Sequence, residues 1–192
     1  MTCPKTGGPA QWSVKMVKGK RGQPGVVLLS RNQRERIRRQ YRPTHVRLLF
    51  IGESPPASGR FFYHADSGLY RAMREAFQAV DPSVTDASFL TVFQASGCYL
   101  VDLSLDPVDH LERTARRAAC RAGEESLSRT IALLRPPTIV TVVRTIESIV
   151  IKAASRANWR GVMVHLPYPG RWSRPRQTFV ETLAPLIAGC RG

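Results

Sequence analysis

The sequence predicts an α/β fold, a three-layer sandwich in which a short, mainly parallel central sheet of about four strands is flanked by helices. Three observations carry that expectation. Short apolar runs at 47–51, 98–103, 138–143 and 161–165 are continuous rather than alternating, as strands buried on both faces are. Helical patterns fill the intervals between them, the order that gives parallel strands with helices on both faces. Three of the runs pass into loops that each hold unusual residues, and in such sheets ligands bind at the carboxyl ends of the strands.

Residues 1–25 are rich in Gly, Pro and Lys without an apolar period. A basic, poorly ordered N-terminal segment is expected there, except around Trp12 to Val17, ahead of one domain over 26–192. The stretch 30–41 (SRNQRERIRRQY) opens on the capping residue Ser30, carries arginine on nearly every face and stops before Pro43. It predicts a short exposed helix able to lie along phosphates. Residues 47–51 (RLLFI) form a strand that runs into Gly52 and the turn-rich segment 53–59. Over 67–80, Leu69, Tyr70, Met73, Phe77 and Val80 recur three or four apart and Asp81-Pro82 closes the pattern, a helical stripe. A further helix is expected over 83–95. The second strand is 98–103 (CYLVDL), followed by a helical stretch over 108–134 that Pro136-Pro137 stops. The third strand (TIVTVV), a helix over 145–157 and the fourth strand (GVMVH) complete the sheet.

A chain of 192 residues supports one well-buried core. Its 29 Lys and Arg against 14 Asp and Glu give a net charge of +15, a surface suited to a polyanion, with the arginine fork matched to phosphate. A ribosomal or chromatin-type protein, or a basic surface serving solubility alone, would share that balance. The four cysteines, Cys3, Cys98, Cys120 and Cys190, have no C-x-x-C spacing. That argues against a zinc or iron-sulfur site and for free thiols. No apolar run approaches the roughly 20 residues that span a bilayer, and the start lacks a hydrophobic signal core. A monomer is expected inside the cell, cytoplasmic and nucleoid-associated if bacterial, with no metal, cofactor or membrane partner.

The first loop holds Gly52, Glu53, Ser54 and two prolines, then Arg60 and the rings of Phe61, Phe62 and Tyr63. A carboxylate beside aromatics can orient water while a ring stacks on a flipped base; equally, the loop can be a structural turn with its rings in the core. Asp102 ends an otherwise apolar strand. It either hydrogen-bonds a ligand edge or caps the next helix. The third loop, 165–174, contains His165, Pro167, Pro169, Arg171, Trp172, Ser173 and Arg174. Arginine and tryptophan on a proline-stiffened turn suit insertion into a duplex, although Trp172 can also be a packing anchor.

In this order, GESPP at 52–56, GCYLVDL at 97–103 and LPYPG at 166–170 with a basic continuation resemble the uracil-DNA glycosylase superfamily. The resemblance implies hydrolysis of the N-glycosidic bond of uracil, or a related deaminated base, flipped out of single- or double-stranded DNA. A noncatalytic binder of damaged DNA or abasic sites is the alternative. Carried over, Glu53 matches a motif position that activates water, with Gly52 opening that motif. Ser54 stands where the best-known branch has its catalytic Asp. Phe61 or Phe62 corresponds to the ring that stacks on uracil, and Asp102 to an Asn that reads the uracil edge. Leu166 aligns with the last motif's His, leaving His165 one position early as a candidate donor. Arg60, Pro169, Arg171, Trp172, Ser173 and Arg174 are implied to meet the DNA. With Ser54 and the displaced His165 the usual catalytic pair is incomplete, so water activation falls to Glu53 or the leaving group carries more of the reaction. Asp for Asn also changes base reading, because an ionised carboxylate only accepts hydrogen bonds.

Overall fold

A computed structural model of the chain describes residues 16–17, 26–170 and 173–191. The expected disorder of 1–25 falls almost wholly outside the described residues, as do Arg171 and Trp172. Strands β1 (Met16–Val17) and β2 (Val26–Val27) form a small antiparallel pair. The central sheet has four parallel strands, β3 (Leu48–Gly52), β4 (Cys98–Asp102), β5 (Thr138–Thr141) and β6 (Val162–His165), in the order β4-β3-β5-β6. Every residue of β3 is buried because the strand is central and covered on both faces. The first strand of the sheet thus lies inside it, with β4 on one side and β5 on the other. The connection from β3 runs to β4 on one side and the connection from β4 crosses back to β5 on the other, a switch in strand order that opens a crevice at the carboxyl ends.

Helix α1 (Arg31–Gln40) starts as its sequence dictates. The Ser30 hydroxyl accepts from the Gln33 amide at 3.3 Å, and the Gln33 side chain accepts from the Ser30 amide at 2.8 Å, a reciprocal cap. The helix is less exposed than expected. Arg31, Arg36 and Arg39 are exposed, but Arg34 and Arg38, four apart on one face, turn inward.

Ser67 caps α2 (Gly68–Val80), whose Tyr70, Met73 and Phe77 enter the core as the periodicity predicts. The helix expected over 83–95 is confined to α3 (Phe89–Ala95), after a turn held by Thr85 and Ser88. The single helical stretch expected over 108–134 is two helices, α4 (Arg113–Ala122) and α5 (Glu124–Leu134). They break at Gly123, where a side-chain Cβ would lie 1.9 Å from the Leu103 carbonyl oxygen. The backbone approaches the end of β4 too closely there for any other residue. A 3-10 turn over Arg144–Ile146 leads into α6 (Glu147–Arg156).

No element was expected after the last loop, yet α7 (Ser173–Arg191) fills most of that segment and packs on α2. Its signal is the spacing of Phe179, Leu183 and Ile187, all fully buried. Pro185 within the helix obscures that signal. On the other side α5 packs on α6, completing the three layers. Among the described residues, no helix is long and apolar enough to cross a membrane.

Candidate active site

A cavity of about 670 Å³ lies at the carboxyl ends of the parallel strands. Each strand or its following loop contributes to it: Gly52 to Pro56 after β3, Leu100 and Asp102 of β4, Val142 and Val143 after β5, and Tyr168 to Gly170 after β6. The register places Gly52 directly opposite Asp102. A Cβ at position 52 would lie 2.6 Å from Asp102 Oδ1, so the glycine lets that carboxyl close over the end of β3. Pairing continues past the strands, with the Leu103 amide donating to Gly52 at 2.9 Å and the Ser104 amide to Glu53 at 2.8 Å. The first loop is fixed from its far side. The Ser54 hydroxyl accepts from the Val108 amide at 3.3 Å, and Asp109 accepts from the Ala57 amide at 2.9 Å.

Glu53 and Asp102 are each held by an arginine. Arg116 of α4 grips Glu53 with two hydrogen bonds, Nε to Oε1 at 2.7 Å and Nη2 to Oε2, and the Cys120 thiol lies 3.8 Å from Oε1. That hydrogen bonding raises the Arg116 guanidinium above its ordinary value. Burial and the neighbouring Glu53 charge push the Cys120 thiol up to about 11. Asp102 accepts at Oδ2 from Arg38 Nη2 at 2.7 Å. Burial raises the Asp102 carboxyl above the usual carboxylate value, with Arg38 opposing.

The aromatic turn divides its work. Phe61 is buried, lines the cavity and is anchored by its amide, which donates to Asp66 at 2.7 Å. Phe62 also reaches the lining, but its ring packs among Tyr70, Phe89 and Phe93 in the core. Phe61 is equally buried but has fewer ring neighbours, Tyr63 at 5.7 Å and His64 at 6.1 Å between centroids. The Tyr63 hydroxyl donates to the Leu100 carbonyl at 3.0 Å and accepts from the Leu100 amide at 2.8 Å. It thereby satisfies both backbone groups of Leu100 on the free edge of β4.

Of the residues singled out in the sequence, Gly52, Glu53, Ser54, Arg60, Phe61, Phe62, Asp102 and Pro169 line one cavity. His165, Ser173 and Arg174 do not. The His165 Nδ1 lies 2.8 Å from the Thr141 hydroxyl and 3.8 Å from Glu147, partners outside the cavity lining. Leu166, which aligns with the motif histidine, is fully buried. Sequence reasoning missed Arg38, Arg116 and Asp109. Nothing local marks them, since Arg116 lies 63 positions from Glu53 and Arg38 lies 64 from Asp102. It also missed Arg71 and Arg176, which join Arg60 in the cavity wall.

The family model of the uracil DNA glycosylase superfamily matches residues 39–186. The chain belongs to the uracil-DNA glycosylase superfamily. No curated protein matches the chain. The span matched to the superfamily takes in the whole parallel sheet and the loops around the cavity, and it begins one residue after Arg38.

Proposed function

We propose that the protein is a DNA repair glycosylase that hydrolyses the N-glycosidic bond of uracil, or a related deaminated base, flipped out of DNA. The observation that carries this reading is the convergence of Glu53, Phe61 and Asp102 on one cavity at the strand ends, in a chain of this superfamily. At about 670 Å³ the cavity falls within the range of small-ligand sites and accommodates a base and its sugar. Phe61 supplies the aromatic wall and Asp102 the hydrogen-bonding edge. Glu53 orients the water that attacks the sugar carbon as the bond to the base breaks; the base leaves with the bonding electrons, and the proton the water loses passes through Glu53 or solvent to the departing base anion. Arg116 keeps the Glu53 carboxylate fixed while leaving each oxygen a further lone pair for that water. Exposed Arg60 and Arg71 at the cavity, with Tyr168 at its mouth, suit phosphate and stacked bases. The reading gives His165 no step, because its ring is engaged with Thr141.

A second reading, binding of damaged DNA without cleavage, is favoured by one observation: Arg116 occupies both oxygens of Glu53. One assay separates the two. Purified protein is incubated with single-stranded and duplex oligonucleotides carrying one uracil, hypoxanthine, xanthine or mismatched thymine, then treated with alkali. Strand breaks at the modified base, lost in Glu53→Gln while DNA affinity is retained, are expected for the glycosylase. Tight, lesion-selective binding with no break on any substrate would establish the second reading instead.

A further inference from the structure

Arg38 is an unexpected residue to find inside a domain. It lies on α1, its side chain is 4% exposed, and it is held between Glu35 at 2.5 Å and Asp102 at 2.7 Å. Its Nε is buried with no hydrogen-bond partner. A buried guanidinium with an orphan donor is a costly way to satisfy one carboxylate, and an apolar pair of similar volume is often the more stable arrangement. Its presence there calls for a reason beyond folding. Asp102 borders the cavity whereas Arg38 does not. Arg38 instead lines a smaller cavity that Asp102 also borders; its guanidinium meets Oδ2, while Oδ1 lies beside Gly52. The same guanidinium lies 5.9 Å from the ring centre of Phe61, so one buried cation backs both the polar edge and the aromatic wall of the cavity.

We propose that Arg38 is a positioning residue that fixes Asp102 as an ionised carboxylate with Oδ1 toward the cavity, so that the site selects bases presenting an N–H donor at that edge. The proposal rests on the glycosylase reading and deepens it. The charged and titratable groups around Asp102 are Arg34, Glu35 and Arg38 of α1, Tyr63 of the aromatic turn and Tyr99 of β4. Arg38 alone among them hydrogen-bonds the carboxylate. The ring N–H of a deaminated base, N3–H of uracil or N1–H of hypoxanthine, supplies the donor that an ionised carboxylate requires. A ring nitrogen carrying a methyl group supplies none. Without Arg38, the upward push of burial on the Asp102 carboxyl loses its main opposing charge, and a protonated carboxyl brings a donor to an edge where the base N–H needs an acceptor.

The test is a double-mutant cycle on the full chain. Single-turnover excision of uracil and hypoxanthine is measured from pH 5 to 9 for wild type, Arg38→Met, Arg38→Lys, Asp102→Asn and Arg38→Met with Asp102→Asn. Arg38→Met is expected to slow excision about 10- to 100-fold and move the acidic limb of the profile upward by about one pH unit. Arg38→Lys restores part of the rate. In the Asp102→Asn background, Arg38→Met changes the rate less than about twofold, because the carboxylate it acts through is gone. Full multiplication of the two losses, or a wild-type profile in Arg38→Met, overturns the proposal. The Asp102 carboxyl is also titrated by carbon-13 NMR, assigned with Asp102→Asn. An upward shift in Arg38→Met is expected and an unchanged titration is fatal to the idea. If wild type excises no deaminated base, the glycosylase reading fails, and the NMR titration still decides whether Arg38 holds Asp102 ionised. Should Arg38→Met alone fail to fold, the Arg38→Lys variant carries both readouts.

Discussion

The Arg116 to Glu53 contact gives the sharpest prediction, because one substitution separates its contribution to stability from its contribution to chemistry. Arg116→Met keeps the aliphatic stem on α4 and removes both donors to Glu53. Removing one partner of a fully buried ion pair costs about 3–5 kcal/mol, and an exposed pair is worth about 0–1 kcal/mol. The Glu53 side chain is 13% exposed and that of Arg116 is 38% exposed, so water reaches the carboxylate once the guanidinium leaves. The expected loss is therefore about 1–2 kcal/mol, read as a fall of about 3–6 °C in Tm for a domain of this size. Losing the clamp also frees the Glu53 rotamer, and misplacement by about 1 Å can cost about 100-fold in rate. Single-turnover excision in Arg116→Met is expected to drop about 10- to 100-fold with DNA affinity nearly unchanged. Calorimetry and rapid-quench kinetics on the same preparations check both numbers. A Tm within 1 °C of wild type together with a rate within about twofold would show that Arg116 neither stabilises nor orients Glu53.

Phe62→Ala should destabilise the fold by about 3–5 kcal/mol, since its ring packs among three core aromatics. Tyr168→Ala, at a ring 54% exposed, should cost less than about 0.5 kcal/mol and weaken DNA binding. Denaturant titration and a binding isotherm on each variant check the contrast, and equal stability losses would contradict it. With its thiol pushed up to about 11, Cys120 should alkylate very slowly at pH 7, where only about one molecule in 10⁴ is thiolate. Because its folded-state value lies above its ordinary 9.0, the thiol's contribution to stability is full below pH 9 and is lost as pH rises toward about 11. Peptide mapping after timed iodoacetamide treatment reads the first effect. Rapid labelling of Cys120 at neutral pH would refute the assignment.

The parallel sheet was legible because it is written locally. Continuous apolar runs at 47–51, 98–103, 138–143 and 161–165 need no partner to be recognised, and each corresponds to a strand within one or two residues. Capping residues are equally local, so Ser30 and Ser67 mark the starts of α1 and α2. The order of the three motif loops carries the superfamily in the same way. A helix with a proline inside it was invisible, since Pro185 disrupts the propensity signal while Phe179, Leu183 and Ile187 earn their place through burial against α2. The split between α4 and α5 was hidden for a related reason: Gly123 is dictated by the backbone of Leu103, which no local pattern contains.

For the site, the sequence by itself determined which residue types stand at the strand ends, and tertiary structure decided their company. Glu53 and Asp102 were visible as carboxylates bordering apolar strands, but Arg116 and Arg38, which hydrogen-bond their oxygens, arrive from helices more than 60 positions away. Phe61 and Phe62 are adjacent and alike in sequence. Both line the cavity, but only packing surrounds Phe62 with Tyr70, Phe89 and Phe93. His165 sits beside the motif in sequence but pairs with Thr141 across the β5 to β6 ladder. Strand ends are fixed by local apolar pattern, whereas the partner of a buried charge is fixed by whatever distant element brings a counter-charge within hydrogen-bond reach. The local pattern is written in the sequence, and the pairing exists only once the chain has folded.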